Sequence, residues 1–282
     1  MKEERKRARK ISNKRRAWLL GSCLLLPLFF GLYIYHLRLD ETHKALFRRA
    51  EKLIEKGSYR RAISQLRSLH EHYPATPQAP QALLLSGDIL LLNLHKEKEA
   101  LLSFLLVERD YPDSSWCQTA RLRVAEIYKY RLQDYGGALV AYQKILDRKP
   151  LESENVQYEI ADTYFRMNNF EQTRIEFESL INDYPDSKLL PEALYRIGSV
   201  LFLEGNLKDA ELALQRLCHD YPDHSFALEG YFTLAQIHEE RGELRKALEV
   251  LNGLAGRYAR ESILEQRIAR VMQRLNKKTQ AI

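Results

Sequence analysis

The sequence predicts an all-α protein. About six helical hairpins stack one on the next, with a helix closing the C-terminal end and a single transmembrane helix in front. Three observations carry this. A five-residue phrase recurs, as HYPAT at His72–Thr76, DYPDS at Asp110–Ser114 and Asp183–Ser187, and DYPDH at Asp220–His224. Ala17–Leu37 is a run of 21 residues without an acid, lysine or arginine. Glycine and proline number only 12 and 9 in 282 residues, which suits helices and not a disordered or collagen-like chain.

Residues 1–16 hold nine of the 44 Lys and Arg and two of the 38 acids, so the net charge of +6 originates in this tail. The rest of the chain is close to neutral and lacks the excess that a basic nucleic-acid face requires; no nucleic-acid partner is expected. Ala17–Leu37 follows. A helix crossing the hydrocarbon core needs about 20 apolar residues. Trp18 lies near one end and Tyr33 and Tyr35 near the other, at the depths amphipathic rings prefer. Pro27 and Gly31 are tolerated in such a span. Lys14, Arg15 and Arg16 abut its start, so the positive-inside rule puts the N-terminus in the cytoplasm and the body across the membrane. In a bacterial cell this is a single-pass inner-membrane protein with a periplasmic body.

An uncleaved anchor is the expected outcome. No small-x-small cleavage site follows the apolar run. Leu20-Gly21-Ser22-Cys23 has the form of a lipobox, but most of the run comes after Cys23. Arg15-Arg16 shares only its doublet with a twin-arginine signal. Cys23, Cys117 and Cys218 form no CxxC pair, which removes zinc-ribbon and redox motifs.

The repeats begin close behind the span, near His43. Pro74, Pro112, Pro150, Pro185 and Pro222 mark segment ends, and Ala259 holds the sixth place, giving spacings of 38, 38, 35, 37 and 37 residues. A period in the thirties indicates stacked repeats. Each segment carries one small residue per predicted helix. The pairs are Ala50 and Ala62, Gly87 and Ala100, Ala125 and Ala138, Ala161 with Thr173, Gly198 and Ala210, and Ala235 and Ala247. Antiparallel helices approach closely only where side chains are small, and larger residues at helical spacing, such as Leu214 and Leu217, fill the space between hairpins. Gly57, Gly205, Gly242 and the pair Asn168-Asn169 mark turns. The second and third segments need one extra residue between their helices. Proline stops each second helix, and the polar residue after it can cap the next. The recurring phrase is therefore punctuation between hairpins. In ESILEQRIARVMQRLNKK, Ile263, Ile268, Val271, Met272 and Leu275 form the predicted inner face of a capping helix, with Arg267, Arg270, Arg274 and Lys277 opposite; residues 260–282 are this cap and tail.

Over residues 43–259 these segments resemble tetratricopeptide repeats in the small-residue pair, the turn and the closing proline. Leu46, Leu83, Arg121, Gln157, Leu194 and Tyr231 stand where that family's consensus has tryptophan. The YPDS ending most resembles the bacterial envelope branch that includes the outer-membrane assembly lipoprotein BamD and the cell-division coordinator CpoB. The resemblance implies a right-handed superhelix whose concave face is lined by the first helix of each repeat. It also implies a scaffold binding protein or peptide partners.

One register on those first helices reads Phe47, Leu84, Leu122, Tyr158, Tyr195 and Phe232. One turn on stand Glu51, Asp88, Glu126, Asp162, Ser199 and Gln236. An apolar-aromatic row beside four acids suits an apolar peptide segment carrying Lys or Arg. The competing account has the rings packing between helices while the acids solvate the face. The Lys/Asn clamp for C-terminal carboxylates is absent from these two registers. There is no phosphate loop, HExxH or GxSxG. His70 and His72 are two apart on a helix, so their rings diverge. No enzyme activity, cofactor or metal is indicated. The functional expectation is a membrane-anchored scaffold for protein partners in envelope assembly or secretion. The alternatives are a translocon-associated chaperone, or a self-associating structural subunit of a larger membrane complex.

Overall fold

The computed structural model describes residues 42–148 and 153–280. The predicted span Ala17–Leu37 and the marker Pro150 lie outside them. The described residues are helical with no strand, and none of their helices is long and apolar enough to cross a membrane. The chain divides into two compact units with the boundary between Ala120 and Arg121.

The first unit contains α1 (42–55), α2 (Tyr59–His72), α3 (Gln78–Leu92), α4 (Glu97–Asp110) and the start of α5 (Trp116–Glu126). The second contains the rest of α5, a π-helical turn at Ile127–Leu132, and then α6 (Tyr135–Leu146), α7 (Ser153–Arg166) and α8 (Phe170–Asp183). It continues with α9 (Leu190–Leu203), α10 (Leu207–Asp220), α11 (Ser225–Glu240), α12 (Leu244–Asn252) and α13 (Glu261–Gln280). Within each unit, successive helices pack antiparallel as hairpins that share cores with their neighbours.

The small residues lie where the helices cross. Ala62, Ala100, Ala138, Ala210 and Ala247 are fully buried, as are Ala50, Ala125, Ala161 and Ala235. Two glycines report the separation directly. A Cβ on Gly87 would stand 2.5 Å from the Phe104 ring, and one on Gly198 2.6 Å from Leu214. At these crossings even a methyl group exceeds the available space.

The punctuation has a matching backbone cause. Tyr73, Tyr111, Tyr184 and Tyr221 leave the helical region, with φ between −129° and −136°. The following proline disfavours αR at the residue before it. Two residues past the proline, Ser114 Oγ accepts from the Trp116 N–H and Ser187 Oγ from the Leu189 N–H, both at 3.2 Å. Inside the hairpins, Asp134, Asn169 and Asn206 cap the second helices through their side-chain oxygens. Gly57, Gly205 and Gly242 have φ of +69° to +76°, as their turn positions require.

The extra residue expected in two turns is accommodated in two ways. Between α3 and α4 it lengthens the turn to residues 93–96, with His95 at φ +52°. In the third hairpin it enters the helix instead. The first helix widens into the π turn Ile127–Leu132 and closes on left-handed Gln133, so that only Gln133 and Asp134 remain between the helices. The sixth hairpin also departs from pattern. α12 stops at Asn252 because Gly253 and Gly256 follow, yet Leu254 and Tyr258 remain buried.

The closing helix forms, but its inner face differs from the expected one. Leu264 and Val271 are buried, with Ile268 and Leu275 beside them, while Ile263 and Met272 are 44% and 50% exposed. The stripe 264, 268, 271, 275 follows helical periodicity; Ile263 and Met272 fall outside it.

The crossing geometry sets a prediction. Gly198→Ala should lower unfolding free energy by about 1–3 kcal/mol through overpacking against Leu214. Gly136→Ala, where the nearest atom is 3.8 Å away, should raise it by about 0.4–1 kcal/mol. Paired denaturant titrations compare the two; equal effects would show that the crossing is not tight.

Candidate peptide-binding face

The first helices are α1 and α3 in the first unit and α5, α7, α9 and α11 in the second. In the first unit Phe47 and Leu84 are buried, Glu51 is exposed and Asp88 half-buried. Leu84 thus belongs to the core. In the second unit Leu122, Tyr158, Tyr195 and Phe232 are all half-buried. Each ring of the last three also touches a neighbour. Tyr158 meets Phe177 edge-on at 5.5 Å, Tyr195 meets Phe226 at 5.6 Å, and Phe232 stacks on Tyr258 at 5.2 Å. The aromatic row joins helices with one side of each ring and leaves the other partly open.

The residues one turn on meet different fates. Glu126 is half-buried and accepts from Arg123 at 2.9 Å. Ser199 and Gln236 are half-buried, and the buried Ser199 Oγ has no hydrogen-bond partner. Asp162 is buried and lies at the centre of a charged layer.

That layer is built on Lys129, whose side chain has no exposed surface. The π turn turns it inward. Its Nζ lies 2.8 Å from Asp162 Oδ2 and donates to Glu159 Oε2 at 2.7 Å and to the Glu159 carbonyl at 3.0 Å. The Tyr130 and Tyr142 rings stand 5.1 and 5.9 Å away. Arg166 Nε donates to Asp162 Oδ2 at 2.8 Å, and Arg196 reaches the other carboxylate oxygen at 4.0 Å. Tyr130 donates to Glu159 at 2.8 Å and Tyr158 to Glu192 at 2.6 Å, while Arg196 donates to the Tyr158 oxygen at 3.3 Å. Three cations face three carboxylates, so this part of the face is locally neutral.

The electrostatics follow from that packing. Burial pushes the Asp162 carboxyl up, but Lys129 and Arg166 outweigh it and hold the group below its ordinary value of 3.8. Burial, and then the Glu159 carboxylate, raise Tyr130 and Tyr142 far above the usual phenol range. Tyr158 rises through burial and its bond to Glu192. These tyrosines act as neutral donors.

A second buried charge sits on α11. Glu239 is 5% exposed and receives Arg267 Nε at 2.5 Å and Arg274 Nη1 at 2.9 Å, both from α13. These arginines were expected on the outer side of the closing helix; they flank its apolar stripe and reach back to the buried Glu239 carboxylate. Nearby, Tyr258 and Arg260 both donate to Glu229, and burial followed by that carboxylate pushes Tyr258 up to about 12.

Lys129, Glu159, Glu192, Arg196 and Glu239 were not singled out from sequence. A signal existed. Four residues after each first-helix small residue the chain reads Ile54, Leu91, Lys129, Phe165, Phe202 and Glu239. The two charges in this otherwise apolar register, Lys129 and Glu239, mark the buried pairs. His70 and His72 do diverge, His70 bonding Tyr111 and His72 bonding Ser68. No cluster able to hold a metal occurs among the described residues.

Comparison with known proteins agrees with the fold. Sequence profiles described as tetratricopeptide repeat match residues 47–115, 155–187 and 192–224. No curated protein matches the chain. A tetratricopeptide repeat protein from Parabacteroides merdae ATCC 43184 superposes with a TM-score of 0.54 at 19% identity, covering 83% of this chain and 88% of that one. Naa15/Naa10 bound to HypK-THB gives 0.50 at 19% identity over 85% of this chain and 35% of that one. PilW, described as a type IV pilus biogenesis factor, gives 0.48 at 16% identity over 76% and 92%.

The charged layer predicts two stability results. Lys129→Ala leaves Asp162 and Glu159 without their shared cation and should cost about 3–5 kcal/mol. Because the Asp162 pKa is depressed on folding, its contribution is complete above the unfolded value of 3.8 and is lost as pH falls through the lower folded value. Melting curves of wild type and Asp162→Asn should therefore differ at neutral pH and converge in acid; a constant offset would refute the linkage.

Proposed function

We propose that this chain is a membrane-anchored tetratricopeptide scaffold that gathers protein partners at the cell envelope, serving assembly or secretion of envelope components. The repeats supply the coarse function, since such folds present helix faces to protein segments. The finer reading rests on sequence features. The anchor is Ala17–Leu37, the orientation follows from the basic tail, and the YPDS punctuation resembles the envelope branch that includes BamD and CpoB. The body starts so soon after the span that its partners lie in or near the membrane.

The observation that carries partner binding is the half-open aromatic row Tyr158, Tyr195 and Phe232 on consecutive first helices. Aromatic rings fixed on one side and open on the other offer contact area at low entropic cost. The neutral layer beneath supplies phenol and guanidinium donors to an extended segment. Glu126 would face its basic side chains.

One observation favours a second reading, a structural subunit. Two residues after the small residue of α6, α8 and α10 stand Val140, Ile175 and Leu212, exposed by 60%, 45% and 57%. This position lies opposite the buried side of α6, α8 and α10. Leu102 holds the same place on α4. A recurring exposed aliphatic at one register suits contact with a further subunit.

Photocrosslinkers placed in cells at Tyr158, Tyr195 and Leu212 separate these readings. Defined protein adducts from Tyr158 and Tyr195 alone support the aromatic face, and Phe232→Ala should then reduce their yield. Adducts from Leu212 alone support the structural subunit. Identical background at all three positions would end the scaffold reading.

A further inference from the structure

The first hairpin carries a depression whose lining charges are all of one sign. Arg49, Lys52, Leu53 and Lys56 of α1, with Gln65 of α2, line a shallow depression of about 270 Å³. Arg49, Lys52 and Lys56 are exposed, and their side chains have no hydrogen bond or ion pair with any described residue. Spacings of three and four residues put them on one side of the helix.

The repeat register shows what these positions normally do. At the Arg49 place the later repeats carry Ser86, Val124, Ile160, Ile197 and Leu234, all buried. At the Lys52 place they carry Ile89, Ile127, Thr163, Val200 and Ile237, again all buried. In the first hairpin both have become cations. A terminal repeat needs a polar outer face to remain soluble, but either sign of charge would satisfy that need. Here every charge lining the depression is positive. Exposed Arg48, Arg60 and Arg61 add to the field, against Glu51 and Glu55.

The place of this face along the chain supplies the occupant. Residues 38–41 alone separate the apolar run from α1, and four residues reach at most about 14 Å. A basic helix tethered that closely stays within roughly one or two Debye lengths of the headgroups. We infer that the Arg49–Lys52–Lys56 face rests on the membrane and binds the phosphate groups of anionic phospholipids, laying α1 along the surface and setting how the repeats are held out from it. Leu53 gives the depression an apolar floor, and the Gln65 amide adds a neutral donor. Each Lys or Arg near an anionic surface strengthens such contact roughly fivefold. The inference rests on the anchor reading above.

Lysine acylation of the full chain in nanodiscs tests it, with peptide mass spectrometry as the readout. The discs contain phosphatidylcholine alone or phosphatidylcholine with phosphatidylglycerol. Lys52 and Lys56 should label several-fold more slowly in the phosphatidylglycerol discs, Lys246 on α12 should not change, and Arg49→Glu should restore labelling. Equal rates in both discs overturn the inference, whether the face is empty or waits for an acidic protein. Protection in phosphatidylcholine discs by added inorganic phosphate would overturn the lipid assignment in favour of a small-anion site. A chain that never enters discs defeats the anchor reading itself, an outcome distinct from entry without protection.

Discussion

The structure depends on how closely two helices can approach. At Gly87 against Phe104 and Gly198 against Leu214, the space left between backbone and side chain is smaller than a methyl group. Fully buried alanines hold equivalent crossings. Once hairpins close at that distance, larger residues reach into the neighbouring hairpin, as Leu217 does toward Gly230, where a Cβ would stand 3.2 Å away. Stacking follows, because one hairpin alone cannot bury its own apolar stripe. The tyrosine–proline punctuation and the asparagine and aspartate caps then fix where each helix ends.

Two of the buried charged groups among the described residues, at Lys129 and at Glu239, have different consequences. Lys129 exists as a buried cation because the π turn carries an extra residue and rotates it toward Asp162 and Glu159. π turns of this kind recur where a helix accommodates an insertion beside a specialised site. Glu239 fastens the closing helix through Arg267 and Arg274. Breaking either group leaves an uncompensated buried charge, so both specify arrangement more than they add net stability.

Three surfaces thus carry separate chemistry. The first helices of the second unit present half-open rings above a neutral polar layer. Helices α4, α6, α8 and α10 present exposed aliphatics at a single register. The first hairpin presents exposed cations where the later repeats bury uncharged side chains.

Periodicity alone determined the hairpins, their small-residue crossings, their turns and their punctuation, because each of these is a local property repeated six times. Gly57, Gly205, Gly242 and Asn168 were legible for the same reason. Whether Leu84 faces a groove or a core, and whether Asp162 awaits a ligand or is already neutralised, was not legible. Those outcomes depend on residues thirty or more positions away, as Asp162 depends on Lys129 and Arg196. Tertiary structure also decided that the third repeat takes its extra residue into the helix and that Leu264, not Ile263, seals the end. A helix can place several faces toward its neighbours at similar local cost, and only the packed partner selects one.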